Sequence, residues 1–127
     1  AGGSILLIED DPLCARLIQT AVQKSTGAVV SWVTGVEEGL RFLRGQPGTG
    51  LVICDLHLGK ASALELLCQM ASLQARAGVH VVSSDDEPAV RGRCMAAGAV
   101  AFTSKHRISA DLPGWCREIA QSLARAA

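Results

Sequence analysis

The chain has 127 residues, nearly half of them hydrophobic, and its twelve basic and twelve acidic side chains cancel at neutral pH. Length and composition suit one domain with a substantial core and exclude a disordered chain. The zero net charge leaves no electrostatic footprint for direct nucleic-acid binding, and no apolar run is long enough to span a bilayer.

Ala1-Gly2-Gly3-Ser4 lacks the charged and apolar segments of a secretion signal, and reads as a cloning scar or a cut point inside a longer protein. The first strand, Ile5-Leu6-Leu7-Ile8, ends in Glu9-Asp10-Asp11. Asp11 can cap a helix with Pro12 at its first position, where a missing N–H does no harm. Leu13, Leu17, Ile18, Ala21 and Val22 then recur at helical spacing until Gly27. Ala28 to Val33 reads as a second strand, and Thr34 with Glu37 predicts a capping box for a short helix through Val36, Leu40 and Leu43, closed by Gly45.

The third strand, Leu51-Val52-Ile53-Cys54, ends at Asp55. A third helix runs from about Ser62 to Arg76, with Leu64, Leu67, Cys68 and Ala71 on its inward face. The fourth strand, Val79-His80-Val81-Val82, ends in Ser83-Ser84-Asp85-Asp86, and Pro88 fits the first turn of a helix ending near Gly98. Ala99-Val100-Ala101-Phe102 leads through Thr103-Ser104 to Lys105. The last helix begins around Ser109, tolerates Pro113 in its opening turn, and turns Leu112, Trp115, Ile119 and Leu123 inward.

Five strand–helix units predict an α/β fold with helices on both faces of a five-stranded parallel sheet, because crossovers between parallel strands are right-handed. The near-continuous apolar character of the first, third and fourth strands fits burial on both faces. Ligands of such doubly wound, flavodoxin-like sheets bind beyond the carboxyl ends of the strands, where strand order reverses. In the order 2-1-3-4-5 that point lies between strands one and three, flanked by Glu9-Asp10 and Asp55.

The five cysteines are scattered and form no C-x-x-C pair, which argues against structural zinc and against a disulfide framework. They read as buried free thiols in a reducing cytoplasm. His80 reads as a core or sheet-edge histidine, and Trp32 and Trp115 as packing residues.

Four strand ends thus deliver carboxylates, a hydroxyl and an ammonium to one edge. Crowded carboxylates raise one another's pKa unless a cation relieves them. Glu9, Asp10 and Asp55 form a set suited to Mg²⁺, which takes a few carboxylates, waters and a phosphate oxygen; the backbone carbonyl of His57 can add a further ligand. With Ser83 as hydroxyl and Lys105 as cation, the set suits phosphoryl transfer, Asp55 being the nucleophile. Read singly, Asp55 is a loop cap, Asp11 a helix cap, Lys105 a surface lysine and Phe102 a core aromatic.

The runs Ile5-Leu6-Leu7-Ile8-Glu9-Asp10-Asp11-Pro12 and Val52-Ile53-Cys54-Asp55-Leu56-His57-Leu58, the hydroxyl of Ser83, and Gly98-Ala99-Val100-Ala101-Phe102 with Lys105 resemble receiver domains of two-component response regulators. The resemblance covers essentially the whole chain, 1–127, as a single domain. It implies that Asp55 is the phosphoacceptor, that Glu9 and Asp10 hold Mg²⁺ with Asp10 the direct ligand, and that Lys105 contacts the phosphoryl group. Ser83 and Phe102 match the family's switch pair. His57 stands where the family's residue tunes water access to the acyl phosphate. The donor is expected to be a sensor histidine kinase or histidine phosphotransfer protein, and the readout surface the fourth helix, fifth strand and fifth helix of a monomer or weak homodimer.

The sequence departs from the family at His106, where a proline is usual after the lysine, at Gly59 for a frequent proline, at Ala63 for a frequent glycine, and at Ser84 for a small alanine. No output domain is visible, so the chain reads as a stand-alone receiver or one excised from a longer regulator or hybrid kinase. Two other readings stay open. A pseudo-receiver would keep the fold as an interaction module without phosphorylation. A haloacid-dehalogenase-like phosphatase would use an aspartate nucleophile too, but places D-x-D after its first strand, where this chain has Glu9-Asp10.

Overall fold

In the computed structural model, which describes residues 3–85 and 87–126, the apolar runs become one parallel sheet. Ala1 and Gly2 of the expected scar, and Asp86 ahead of the fourth helix, lie outside the described residues. The elements run β1 (Ser4–Ile8), α1 (Pro12–Thr26), β2 (Val29–Val33), α2 (Val36–Gly45), β3 (Leu51–Asp55), β4 (His57–Leu58), β5 (Ala61–Ser62) and α3 (Ala63–Leu73). They continue with β6 (Gly78–Ser83), α4 (Pro88–Ala96), β7 (Ala101–Ser104), α5 (Lys105–Ala110) and α6 (Leu112–Arg125). The sheet order β2-β1-β3-β6-β7 is the expected 2-1-3-4-5 once the small hairpin β4-β5 is set apart.

Side chains alternate across the sheet and build two cores. Leu6, Ile8, Val52, Cys54, Val79, Val81 and Phe102 face α2, α3 and α4. Ile5, Leu7, Leu51, Ile53 and Val82 face α1, α5 and α6. The outer edge of β2 is blunted by α1: Gln19 donates its amide to the Val30 carbonyl, and Val30 N–H donates to Gln23 Oε1.

The helix faces and ends correct several sequence expectations. In α1 the residues that pack are Ala15, Ile18 and Val22, whereas Leu13 and Leu17 are 81% and 52% exposed. Two apolar stripes share that helix, and the sheet buries the other one. In α3 the buried set is Ala63, Leu66, Leu67 and Met70, so Cys68 is exposed rather than inward. That helix stops at Leu73, because Gln74 turns to φ 55° and caps it in the left-handed region.

No capping box opens α2. Gly35 is its N-cap, and the Thr34 hydroxyl instead bonds Glu38 at 2.7 Å. The single last helix expected from Ser109 is two helices. Ser104 Oγ accepts from Arg107 N–H and starts α5 at Lys105, and Asp111 breaks the chain and caps α6 by accepting from Gly114 N–H. Ala63, the departure from a frequent glycine, is the fully buried first residue of α3, its N–H donating to the Leu56 carbonyl.

Candidate functional site

Parallel register aligns the strand ends into one edge. Ile8 pairs with Cys54, Asp55 with Val82, and Ser83 with Ser104. Glu9, Asp55, Ser83 and Lys105 are therefore the residues at or just past the last rung of β1, β3, β6 and β7. Sheet backbone, hydrogen-bonded on both sides in β1, β3 and β6 and on one side in β7, places them, so little loop entropy opposes their approach.

Glu9 is fully buried and Asp55 nearly so, whereas Asp10 is exposed. Carboxylate oxygens of Glu9, Asp10 and Asp55 all lie within 4.8 Å of one another. Lys105 Nζ donates to Glu9 Oε1 and to Asp55 Oδ2, each at 2.9 Å. The Lys105 ammonium thus offsets one of three negative charges. Burial, and then the neighbouring Asp55 carboxyl, hold Glu9 above the usual carboxylate range, against the opposing pull of Lys105. Burial alone would lower the Lys105 pKa; hydrogen bonds to Glu9 and Asp55 outweigh it and raise that pKa.

Oxygen donors at this spacing, exposed on the Asp10 side, fit a small divalent cation with open coordination positions. The second Asp55 oxygen, Oδ1, accepts from His57 N–H at 3.3 Å, while the His57 side chain is exposed. His57 opens the hairpin β4-β5, whose two-residue turn is Gly59-Lys60. Gly59 lies at φ +66°, which explains the departure from proline: a proline cannot adopt that angle.

Ser83 is fully buried, and its Oγ accepts from Asp85 N–H at 2.9 Å. Its own hydroxyl proton remains for donation. Phe102 is 5% exposed and packs in the α2–α4 core, under the Arg91 guanidinium 4.9 Å from its ring centre. The same guanidinium donates to the Phe102 carbonyl at 2.9 Å. No cis peptide bond occurs among the described residues, so Lys105 reaches both carboxylates through a trans bond to His106.

Three neighbours of the site escaped the sequence reading. Arg91 joins α4 to Phe102, and helical spacing gives no sign of it. Cys14, in the first turn of α1, has its thiol pushed up to about 11 by burial and then by Glu9. Trp32 is 39% exposed rather than packed, and its Nε1–H donates to the Glu9 carbonyl at 2.7 Å. The parallel register places it there, since Trp32 pairs with Leu7, two residues before Glu9.

The sequence pattern of the response regulator receiver domain matches residues 5–113, spanning all four strand ends. The chain belongs to that family. The receiver is 30% identical over 121 residues to the sensory/regulatory protein RpfC of Xanthomonas campestris pv. campestris, covering 92% of this chain and 16% of that one. It spans about half the length of other curated relatives it matches. In structure it is similar to a response regulator receiver domain protein from Clostridium thermocellum, with a TM-score of 0.80, 19% identity and coverage of 98% and 93% of the two chains. The Mn(2+)-bound form of response regulator Rcp1 is similar too, with a TM-score of 0.78, 23% identity and coverage of 92% and 91%. The receiver is a signalling domain of the two-component kind, and none of its described helices is long and apolar enough to cross a membrane.

Proposed function

We propose that the receiver is a phosphorylatable switch in which Asp55 accepts a phosphoryl group from the phosphohistidine of a sensor kinase or phosphotransfer protein. The observation that carries this reading is the Lys105 ammonium 2.9 Å from both Asp55 and Glu9, beside an exposed third carboxylate. Asp55 Oδ attacks phosphorus, a P–O bond forms, the P–N bond breaks, and the imidazole leaves. Lys105 stays on the oxygens of the transferred group, which carry the developing charge.

Glu9, Asp10 and Asp55, with the His57 carbonyl, would hold Mg²⁺, which neutralises phosphoryl charge when bound. The Mn²⁺ form of a structural neighbour supports a divalent cation here. Ser83 donates its hydroxyl to the new phosphoryl oxygens. Phe102 and the α4–β7–α6 face then report the change to an output partner, by shifting a pre-existing equilibrium.

Incubation with Mg²⁺ and acetyl phosphate tests the reading. An acid-stable, base-labile phosphoryl adduct, seen by intact mass and lost in Asp55→Asn, is expected. No adduct with or without Mg²⁺ makes the domain a pseudo-receiver, and rapid turnover of unrelated phosphate esters makes it a hydrolase.

A further inference from the structure

Glu9 is held on every side. Its N–H donates to the Val33 carbonyl at 3.1 Å, and its carboxylate accepts from Asp11 N–H and from Lys105. Its carbonyl faces β2 at the point where that strand ends. A continuing parallel ladder would offer it the N–H two residues past Val33, at Gly35. Gly35 is instead the N-cap of α2. Trp32 supplies the missing donor from its side chain, at 2.7 Å.

The carbonyl so fixed belongs to the Glu9–Asp10 peptide plane. Asp10 is a one-residue link between this anchored strand end and Asp11, whose carboxylate caps α1 by accepting from Leu13 N–H. A peptide unit is planar, so fixing its oxygen fixes the N–H and the direction in which the chain enters Asp10. Asp10 is also the exposed member of the carboxylate trio, whereas Glu9 and Asp55 are buried.

We propose that Trp32 is a positioning residue for the cation site: its indole N–H orients the Glu9–Asp10 peptide, and so the Asp10 carboxylate, toward Glu9 and Asp55. The inference rests on the metal role of the trio given above, and it adds a residue from the edge strand that contributes no ligand. Trp32 reaches only a backbone oxygen, so its effect falls on cation affinity rather than on the phosphoryl chemistry itself.

Mn²⁺ titration followed by the electron paramagnetic resonance of the free ion measures the affinity directly. Trp32→Phe, which keeps an apolar ring and loses the donor, is expected to weaken Mn²⁺ binding about five- to tenfold, the worth of one hydrogen bond. Trp32→Gln, which offers an N–H at similar reach, should recover most of it. Unchanged affinity in Trp32→Phe overturns the inference, as does equal weakening in both variants, which would point to ring packing. Absence of Mn²⁺ binding by the unaltered domain overturns the metal reading and the inference together. A measurement without substitution guards against a variant that fails to fold. In ¹H–¹⁵N spectra of the unaltered domain, the Trp32 indole N–H should exchange slowly and shift on saturation with Mg²⁺. An indole signal that stays fixed while the Asp55 amide moves overturns the positioning role.

Discussion

Lys105 Nζ stands 2.9 Å from Asp55 Oδ2 and 2.9 Å from Glu9 Oε1, so one cation ties together carboxylates from two different strands. Lys105 itself opens α5 just past the end of β7, which is separated from β1 by β3 and β6. Three separate stretches of chain must be folded before this contact exists, and its loss is felt by both partners.

Replacing the ammonium by an apolar chain, as in Lys105→Met, leaves buried Glu9 beside Asp55 with nothing to offset the repulsion. Glu9 is an acid already held above its ordinary value of 4.5, and the variant should raise it further. A raised acid costs stability above its unfolded value, and the cost fades as pH falls to that value. Urea unfolding at neutral pH should show a loss of about 1–3 kcal/mol that shrinks on acidification towards pH 4.5. A loss independent of pH would assign it to packing instead.

Asp10→Asn acts in the opposite sense on the metal-free domain. It removes one of the crowded charges from an exposed position, so the fold should gain about 1 kcal/mol in the presence of a chelator. Mg²⁺ should raise the thermal midpoint of the unaltered domain by mass action and leave the variant nearly unmoved. Equal Mg²⁺ stabilisation of both proteins would place the cation elsewhere.

His80 lies 3% exposed in β6, its Nε2 2.8 Å from the Ser122 hydroxyl of α6 and its Nδ1 without a hydrogen-bond partner among the described residues. Burial lowers its pKa from 6.5 to about 4. The unfolded chain therefore binds the proton first, and stability falls as pH drops from 6.5 towards 4, in total by about 3 kcal/mol. Urea midpoints across that window should slope steeply in the unaltered domain and less in His80→Gln. Parallel slopes would acquit His80.

Arg91 joins α4 to β7 through the Phe102 carbonyl and ring. Arg91→Ala should cost about 1–2 kcal/mol. Amide exchange should quicken first in α4, which buries only Cys94 of its own residues. Uniform acceleration across the sheet would show that the contact supports the whole fold and not that helix.

Thiol reagents should separate the cysteines without any substitution. Cys68 is exposed and should react first; Cys54, Cys94 and Cys116 are buried, and burial raises the pKa of each. Titration with a chromogenic disulfide should give one fast thiol and several that await unfolding. Early loss of Cys54 would contradict the buried β3.

Much of the fold is local, and local physics is written in the sequence. Apolar runs such as Leu51-Val52-Ile53-Cys54 declare strands buried on both faces, and each ends in a polar residue at the same edge. Chain order and crossover handedness then bring Glu9 beside Asp55. What the sequence left open are choices between near-equal local options. The apolar residues of α1 offer two stripes, and only docking on the sheet selects Ile18 over Leu17. Thr34 had two glutamates in reach, and with Gly35 rather than Thr34 as the N-cap of α2 its hydroxyl bonds Glu38. The helix predicted from Ser109 became two, because the caps at Ser104 and Asp111 each close a turn that apolar spacing does not register. The bonds of Trp32 to Glu9 and of Arg91 to Phe102 join residues distant in the chain, through a backbone carbonyl every residue possesses. A carbonyl carries no signature in the sequence, so its partner is decided only when the sheet has brought the two together.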